Sequence, residues 1–161
     1  MDSTVSRFLV LAVTAILTWV CPVTVASAAD AGQIKTVRGT AHVERDGKKL
    51  SATVGMNVRE ADVILTGADG AVGVTFGDNS LLSIGPNSAL SIDRFAFDST
   101  THQGAFETSL KSGTLAAISG KLAKQSPDAM KVRTPAALLG VRSTEFLVRT
   151  GETMVRQEPG R

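Results

Sequence analysis

Residues 130 to 148 read MKVRTPAALLGVRSTEFLV, and this stretch decides the class of fold. It contains a short apolar segment, a corner at Thr134-Pro135, and a second apolar segment anchored by Val141, Phe146 and Val148. Proline fixes its own φ and disfavours helical backbone at the residue before it, so the chain turns while staying extended on both sides. The stretch therefore predicts two β-strands around a corner.

Apolar residues recur at every second position in much of the remaining chain, as in residues 72–76 and 90–92. Turn-forming residues separate these runs at Asp46-Gly47 and at residues 67–70, 77–80 and 85–88. Such a pattern predicts an all-β domain, and spacing alone leaves a β-sandwich, a small barrel and a coiled β-solenoid open. Residues 119–130 have few apolar anchors and are predicted to form a polar loop with at most one helical turn.

The first 28 residues have the pattern of a cleavable signal peptide. Arg7 precedes a 13-residue apolar run from Phe8 to Val20, and Ala26-Ser27-Ala28 has the small residues that a signal peptidase requires. An uncleaved membrane anchor over residues 8–26 is the alternative. Cleavage implies a periplasmic or secreted protein that has no transmembrane span after processing. At the other end, residues 151–161 lack a sustained apolar pattern and are expected to be a flexible tail.

The composition of the processed chain excludes several classes of function. The net charge is +2, and the basic residues are scattered along the sequence, unlike the concentrated positive face of a nucleic-acid-binding protein. The only Trp and the only Cys lie in the leader, and there is no Tyr. Stacking of sugars or bases is therefore disfavoured, and no disulfide is expected to stabilise the domain.

No metal, cofactor or catalytic site is predicted. His42 and His102 are sixty residues apart, and Asp69 and Asp78 lie in glycine-containing turns without the alternating oxygen ligands of a calcium loop. Two short segments resemble fragments of enzyme motifs, but neither has the required neighbours. Ser119-Gly120-Lys121 lacks phosphate-loop glycine spacing, and Lys111-Ser112-Gly113 is not accompanied by a Ser-x-x-Lys nucleophile.

The order of the motifs resembles that of the FecR-type domain, an envelope module named for the ferric-citrate regulator. The resemblance extends over residues 32–148. It is carried by V-x-x-x-D-V-I-L-T-G at residues 58–67, F-G-D-N-S at residues 76–80, and the closing signature. In that signature Val141, Arg142, Thr144 and Phe146 match the family pattern, whereas Ser143 stands where the family usually has Gly. A serine would be strained there if the backbone requires a positive φ.

The resemblance implies a FecR-like β domain over residues 29–150, with a β-solenoid-like roll as its architecture. It implies a stand-alone exported, non-catalytic module for protein interaction or sensing, whose periplasmic or envelope partner could add a strand to an exposed sheet edge. A membrane-anchored regulator of an iron-responsive sigma-factor system is the alternative, and a cell-envelope hydrolase is a weaker one. Arg142 is the one charged residue singled out. A corner hydrogen bond or solvent exposure is favoured for it over recognition of an acidic partner.

The leader generates a direct test. We expect the exported protein to begin at Ala29, because the small residues at positions 26 and 28 fit the specificity of a signal peptidase. N-terminal sequencing of the protein recovered from the cell envelope measures this, and a chain that still begins at Met1 would support the uncleaved anchor.

Overall fold

The computed structural model describes residues 30–126, 128–141 and 145–150. The predicted leader, the predicted tail, and the signature residues Arg142, Ser143 and Thr144 lie outside the described residues. The predictions made for them therefore stay predictions.

The described residues form twelve strands and one short helix. The elements are β1 (Asp30–Arg38), β2 (Ala41–Arg45), β3 (Lys48–Ser51), β4 (Asn57–Arg59), β5 (Val63–Thr66), β6 (Ala71–Phe76), β7 (Leu81–Ile84), β8 (Ala89–Phe97), β9 (Gly104–Ile118), α1 (Lys121–Gln125), β10 (Met130–Arg133), β11 (Leu138–Gly140) and β12 (Glu145–Thr150). The prediction of an all-β protein is confirmed. The region expected to be a polar loop forms the single helix, in which Leu122 is fully buried.

The strands form one curled sheet, an open half-barrel with two halves that share the long strand β9. The first half-sheet has the order β4-β1-β6-β7-β9-β12, and the second has the order β3-β2-β5-β8-β9-β10-β11. Every described pair is antiparallel except β9 with β10. The more specific expectation of a solenoid-like roll is not confirmed, since the coils of a parallel β-helix would pair in parallel.

The two halves pack over one hydrophobic core. Phe76 on β6 and Phe106 on β9 have ring centroids 4.5 Å apart, and Phe95 on β8 meets Phe106 edge-on at 5.2 Å. The alternating residues of both halves contribute to the same buried cluster, including Ile34, Val43, Ile64, Val72, Val74, Leu82, Ile84, Leu90, Ile92, Leu110 and Leu115. The alternation predicted from the sequence is confirmed, and it directs one face of each half-sheet inward.

Strand β9 changes its inward-facing phase halfway along its length. Phe106, Thr108 and Leu110 are buried in its first part, whereas Leu115 and Ala117 are buried in its second part. The register against β8 shifts between Leu110 and Ser112, and Gly113 has φ +91. A β-bulge adds one residue to one strand and bends it, so the same strand can present opposite parities to a common core.

The corner predicted at Thr134-Pro135 is present. Strands β10 and β11 pair antiparallel on either side of it, and the N–H of Thr134 donates to the carbonyl of Ala137 at 2.8 Å. The N–H of Ala137 in turn donates to Oγ1 of Thr134 at 3.0 Å. The turn predicted at Asp46-Gly47 also forms and joins β2 to β3 in a hairpin, with a positive φ at both residues as a tight two-residue turn requires.

The bend in β9 predicts a large effect of Gly113→Ala on folding. A Cβ at this position would lie 2.0 Å from Oγ of Ser88 and 2.5 Å from its Cα, in addition to the strain of a positive φ. We expect a loss of about 3 kcal/mol or more in the free energy of unfolding, measured by urea denaturation.

Gly47→Ala is the matched control because its φ is also positive and nothing lies within 4 Å of the added Cβ. It should lose only about 1–2 kcal/mol. Equal losses in the two variants would show that the contact with Ser88 contributes nothing.

Candidate interaction surface

The two histidines are not assembled into a site. His42 lies half-buried in β2. His102 lies in the turn after β8 at φ +56, with its ring stacked on Phe97 at a centroid distance of 6.1 Å. Across the described ranges, no three His, Cys, Asp or Glu side chains are grouped so that they could hold a metal ion.

Asp78, considered above as a calcium ligand, is instead the centre of a buried hydrogen-bonded corner. Its carboxylate accepts from the N–H of Ser80 at 3.0 Å and from the hydroxyl of Ser80 at 2.6 Å. The Ser80 hydroxyl also accepts from the N–H of Gly120 at 2.9 Å, and the carbonyl of Asp78 accepts from the N–H of Lys121 at 2.8 Å. The F-G-D-N-S motif therefore ties the β6–β7 turn to the end of β9.

The glycine in Ser119-Gly120-Lys121, the segment that resembles part of a phosphate loop, has a structural role. A Cβ on this glycine would lie 2.3 Å from the carbonyl oxygen of Asp78 and 2.5 Å from the nitrogen of Ser80. The glycine allows two backbone segments to approach closely, which is a structural requirement. The segment is the junction between β9 and α1.

Arg45 and Asp62 form an ion pair that the sequence analysis did not predict. Nε and Nη2 of Arg45 donate to the two carboxylate oxygens at 2.8 Å and 2.7 Å, and Asp62 also accepts from the N–H of Arg59 at 2.8 Å. The hydrogen bond to Asp62 raises the pKa of Arg45 above its ordinary value. The aspartate of the D-V-I-L-T-G motif thus holds the β4–β5 turn against β2. A bidentate pair with this geometry is a structural contact.

A groove lies on the solvent-facing side of the first half-sheet. Its volume is about 420 Å³, and it crosses five strands from Lys35 on β1 to Glu145 on β12. Leu81 and Ile118 are directly opposed on β7 and β9 and are 43% and 42% exposed. The small residues that form the floor are Gly73, Ser83 and Ala116. The signal for this groove in the sequence is the pair Leu81-Leu82, in which an apolar residue occupies a position that the alternation assigns to solvent.

The edge strands that come early in the chain differ from those that come late. Among the described residues, β3, β4, β11 and β12 each have one neighbouring strand. Strand β3 carries Lys48 and Lys49, and β4 has three residues beside a bulge in β1, which are two known ways to prevent edge pairing. Strand β11 instead exposes Leu138 and Leu139, and the six-residue β12 exposes Leu147. The late edges are the ones suited to accept another strand.

The family comparison agrees with the motif order. A family model described as FecR protein matches residues 62–158, which is more than half of the chain. The chain therefore belongs to the FecR family, a regulatory and non-catalytic family. Strands β1 and β2, which precede the matched residues, pair with β6 and β5 inside them.

Two further comparisons add little. A solved structure described as a cell surface anchoring domain is similar at 26% identity over 38% of this chain and 82% of that chain, with a TM-score of 0.37. No curated protein matches.

The Asp78 corner generates a test that separates structural support from calcium binding. Asp78→Ala leaves buried donors without an acceptor, so we expect a loss of about 2 kcal/mol in the free energy of unfolding. Added calcium or a chelator should leave the melting temperature of the unmodified protein unchanged. Asp69→Ala is the matched control. This exposed carboxylate accepts from the N–H of Thr40 at 3.2 Å, which lowers its pKa, and its removal should be less damaging. Stabilisation by calcium that disappears in Asp78→Ala would contradict the structural role.

Proposed function

We propose that this chain is an exported, non-catalytic FecR-domain module that binds another protein of the cell envelope. The single observation that carries the proposal is the groove on the first half-sheet, with its exposed Leu81 and Ile118. Membership of a regulatory, non-catalytic family supports it, as does the signal-peptide pattern of residues 1–28. The proposed folded domain spans residues 29–150, and the proposed location is the periplasm or the exterior.

The groove has the features of a small protein-binding site. Burying Leu81 and Ile118 under a partner side chain would gain free energy, since a fully buried leucine or isoleucine contributes about 1.5–3 kcal/mol. The floor of Gly73, Ser83 and Ala116 leaves room for an apolar side chain of the partner. Lys35 and Glu145 flank the groove on opposite sides, so a partner with charges of both signs is oriented across it.

Strand addition at β11 or β12 provides a second contact in the same proposal. A partner segment that pairs with either strand would satisfy backbone donors and acceptors at the sheet edge, which gives affinity without a deep pocket. No helix in the described ranges has the length and hydropathy needed to cross a membrane.

Replacement of Leu81 by lysine should abolish partner capture. The charge would have to be desolvated in an apolar contact, so we expect recovery of the partner to fall at least tenfold. Crosslinking of the purified exported protein to envelope extract, followed by affinity capture, measures this. The matched control is Val54→Lys, because Val54 is 64% exposed between β3 and β4 and does not line the groove.

Thermal unfolding establishes that both variants are folded. If the unmodified protein and Val54→Lys capture a partner and Leu81→Lys captures it equally well, the groove is not the binding surface. If no partner is recovered by the unmodified protein, the proposal of an interaction module fails as a whole.

A further inference from the structure

Strand β12 has a charge pattern that is complementary to itself. Its residues 145–149 read Glu-Phe-Leu-Val-Arg, with an acid at one end, a base at the other, and apolar residues between them. Glu145, Leu147 and Arg149 share the exposed phase of the strand, and Leu147 is 70% exposed. Phe146 and Val148 share the opposite phase and pack against the core.

We infer that the strand which adds to the edge of β12 is β12 of a second copy of this chain. In an antiparallel pair with its two-fold axis at Leu147, Glu145 of each copy lies opposite Arg149 of the other copy. Two symmetry-related contacts between opposite charges then flank one contact between leucines. Closed dimers with two-fold symmetry use the same patch on both subunits, which is the self-complementarity that β12 possesses.

Neighbouring registers do not provide this match. If the pairing shifted by one residue, the exposed side chains of one copy would lie opposite the core-facing side chains of the other copy. A two-fold axis at Phe146 would place Glu145 opposite Leu147, and an axis at Val148 would place Leu147 opposite Arg149. Among the registers that keep Phe146 and Val148 on the core side of both copies, only the one centred on Leu147 pairs Glu145 with Arg149.

The dimer would have a defined geometry. Phe146 of each copy would lie opposite Val148 of the other, which extends the apolar side of the sheet across the axis. The two first half-sheets would become one continuous sheet with the two grooves on the same face. The inference rests on the proposed function. It names a second copy of this chain as the partner of the β12 edge, and it leaves the groove for a different protein. A protein with two copies of a binding segment could then occupy both grooves and gain avidity.

The interface is small, because one strand edge buries less than the roughly 1,200 Å² typical of stable complexes. We therefore expect a reversible dimer whose population increases with concentration. Sedimentation equilibrium of the purified exported protein at loadings up to about 1 mM measures this, and thermal unfolding of each variant establishes that it is folded.

A charge exchange between two variants is the decisive experiment. Glu145→Arg places two arginines opposite each other at each contact, and Arg149→Glu places two glutamates there, so each variant alone should dimerise at least tenfold more weakly than the unmodified protein. An equimolar mixture should dimerise again, because one chain then supplies arginine and the other glutamate at both contacts. A monomeric unmodified protein, single variants that dimerise normally, or a mixture that stays monomeric would each overturn the inference.

A disulfide test fixes the register independently. Leu147→Cys should form an intermolecular disulfide under mild oxidation, because directly opposed residues of an antiparallel pair have Cα atoms about 4.5–5.5 Å apart. Val54→Cys, on a distant exposed loop, is the matched control, and crosslinking of both variants to the same extent would contradict the pairing. The disulfide test is independent of the groove, because neither Leu147 nor Val54 lines it, whereas Glu145 does. A monomer that captures an envelope protein through Leu81 refutes the dimer alone, whereas a dimer that captures nothing refutes the proposed function alone.

Discussion

The fold depends on the bend within β9. This strand is the neighbour of β7, β8, β10 and β12, so both half-sheets are built on it. An uninterrupted strand keeps one parity inward, and it would direct Leu115 and Ala117 to solvent if Phe106 and Leu110 faced the core. The shifted register before Ser112 and the positive φ of Gly113 change that parity. One strand can therefore serve two halves of a curled sheet that enclose a single core.

The two central motifs of this chain, at residues 58–67 and 76–80, are structural supports. Asp62 and Asp78, the acidic residues of the two central motifs, are fully committed to holding turns against neighbouring strands. Each accepts several hydrogen bonds while buried, which compensates for the removal of its carboxylate from water. Because these residues support the fold, the motifs that place the chain in the FecR family identify its scaffold and not a binding site. The proposed binding function is therefore assigned to the exposed residues of the groove and the sheet edges.

The edge strands that come early in the chain differ in composition and length from those that come late. The early edges, β3 and β4, are protected by lysines, by short length and by a bulge. The late edges, β11 and β12, follow the Thr134-Pro135 corner and expose apolar side chains. Strand β12 is also part of the groove, because Glu145 lines it. In the proposed dimer, the edge that binds a second copy and the groove proposed for a different protein therefore share this strand.

The class of fold, most of the strands, the corner at Thr134-Pro135 and the turn at Asp46-Gly47 could be predicted from the amino-acid order, because alternation and turn chemistry are local properties. The order of the motifs also identified the family. Tertiary structure alone decided that the strands form an antiparallel curled sheet, since turn spacing is the same in a roll, a sandwich and a barrel. The pairing of Arg45 with Asp62, the approach of Gly120 to Asp78, and the groove depend on residues brought together from distant strands. The sequence pattern of a single strand does not specify which strands become neighbours.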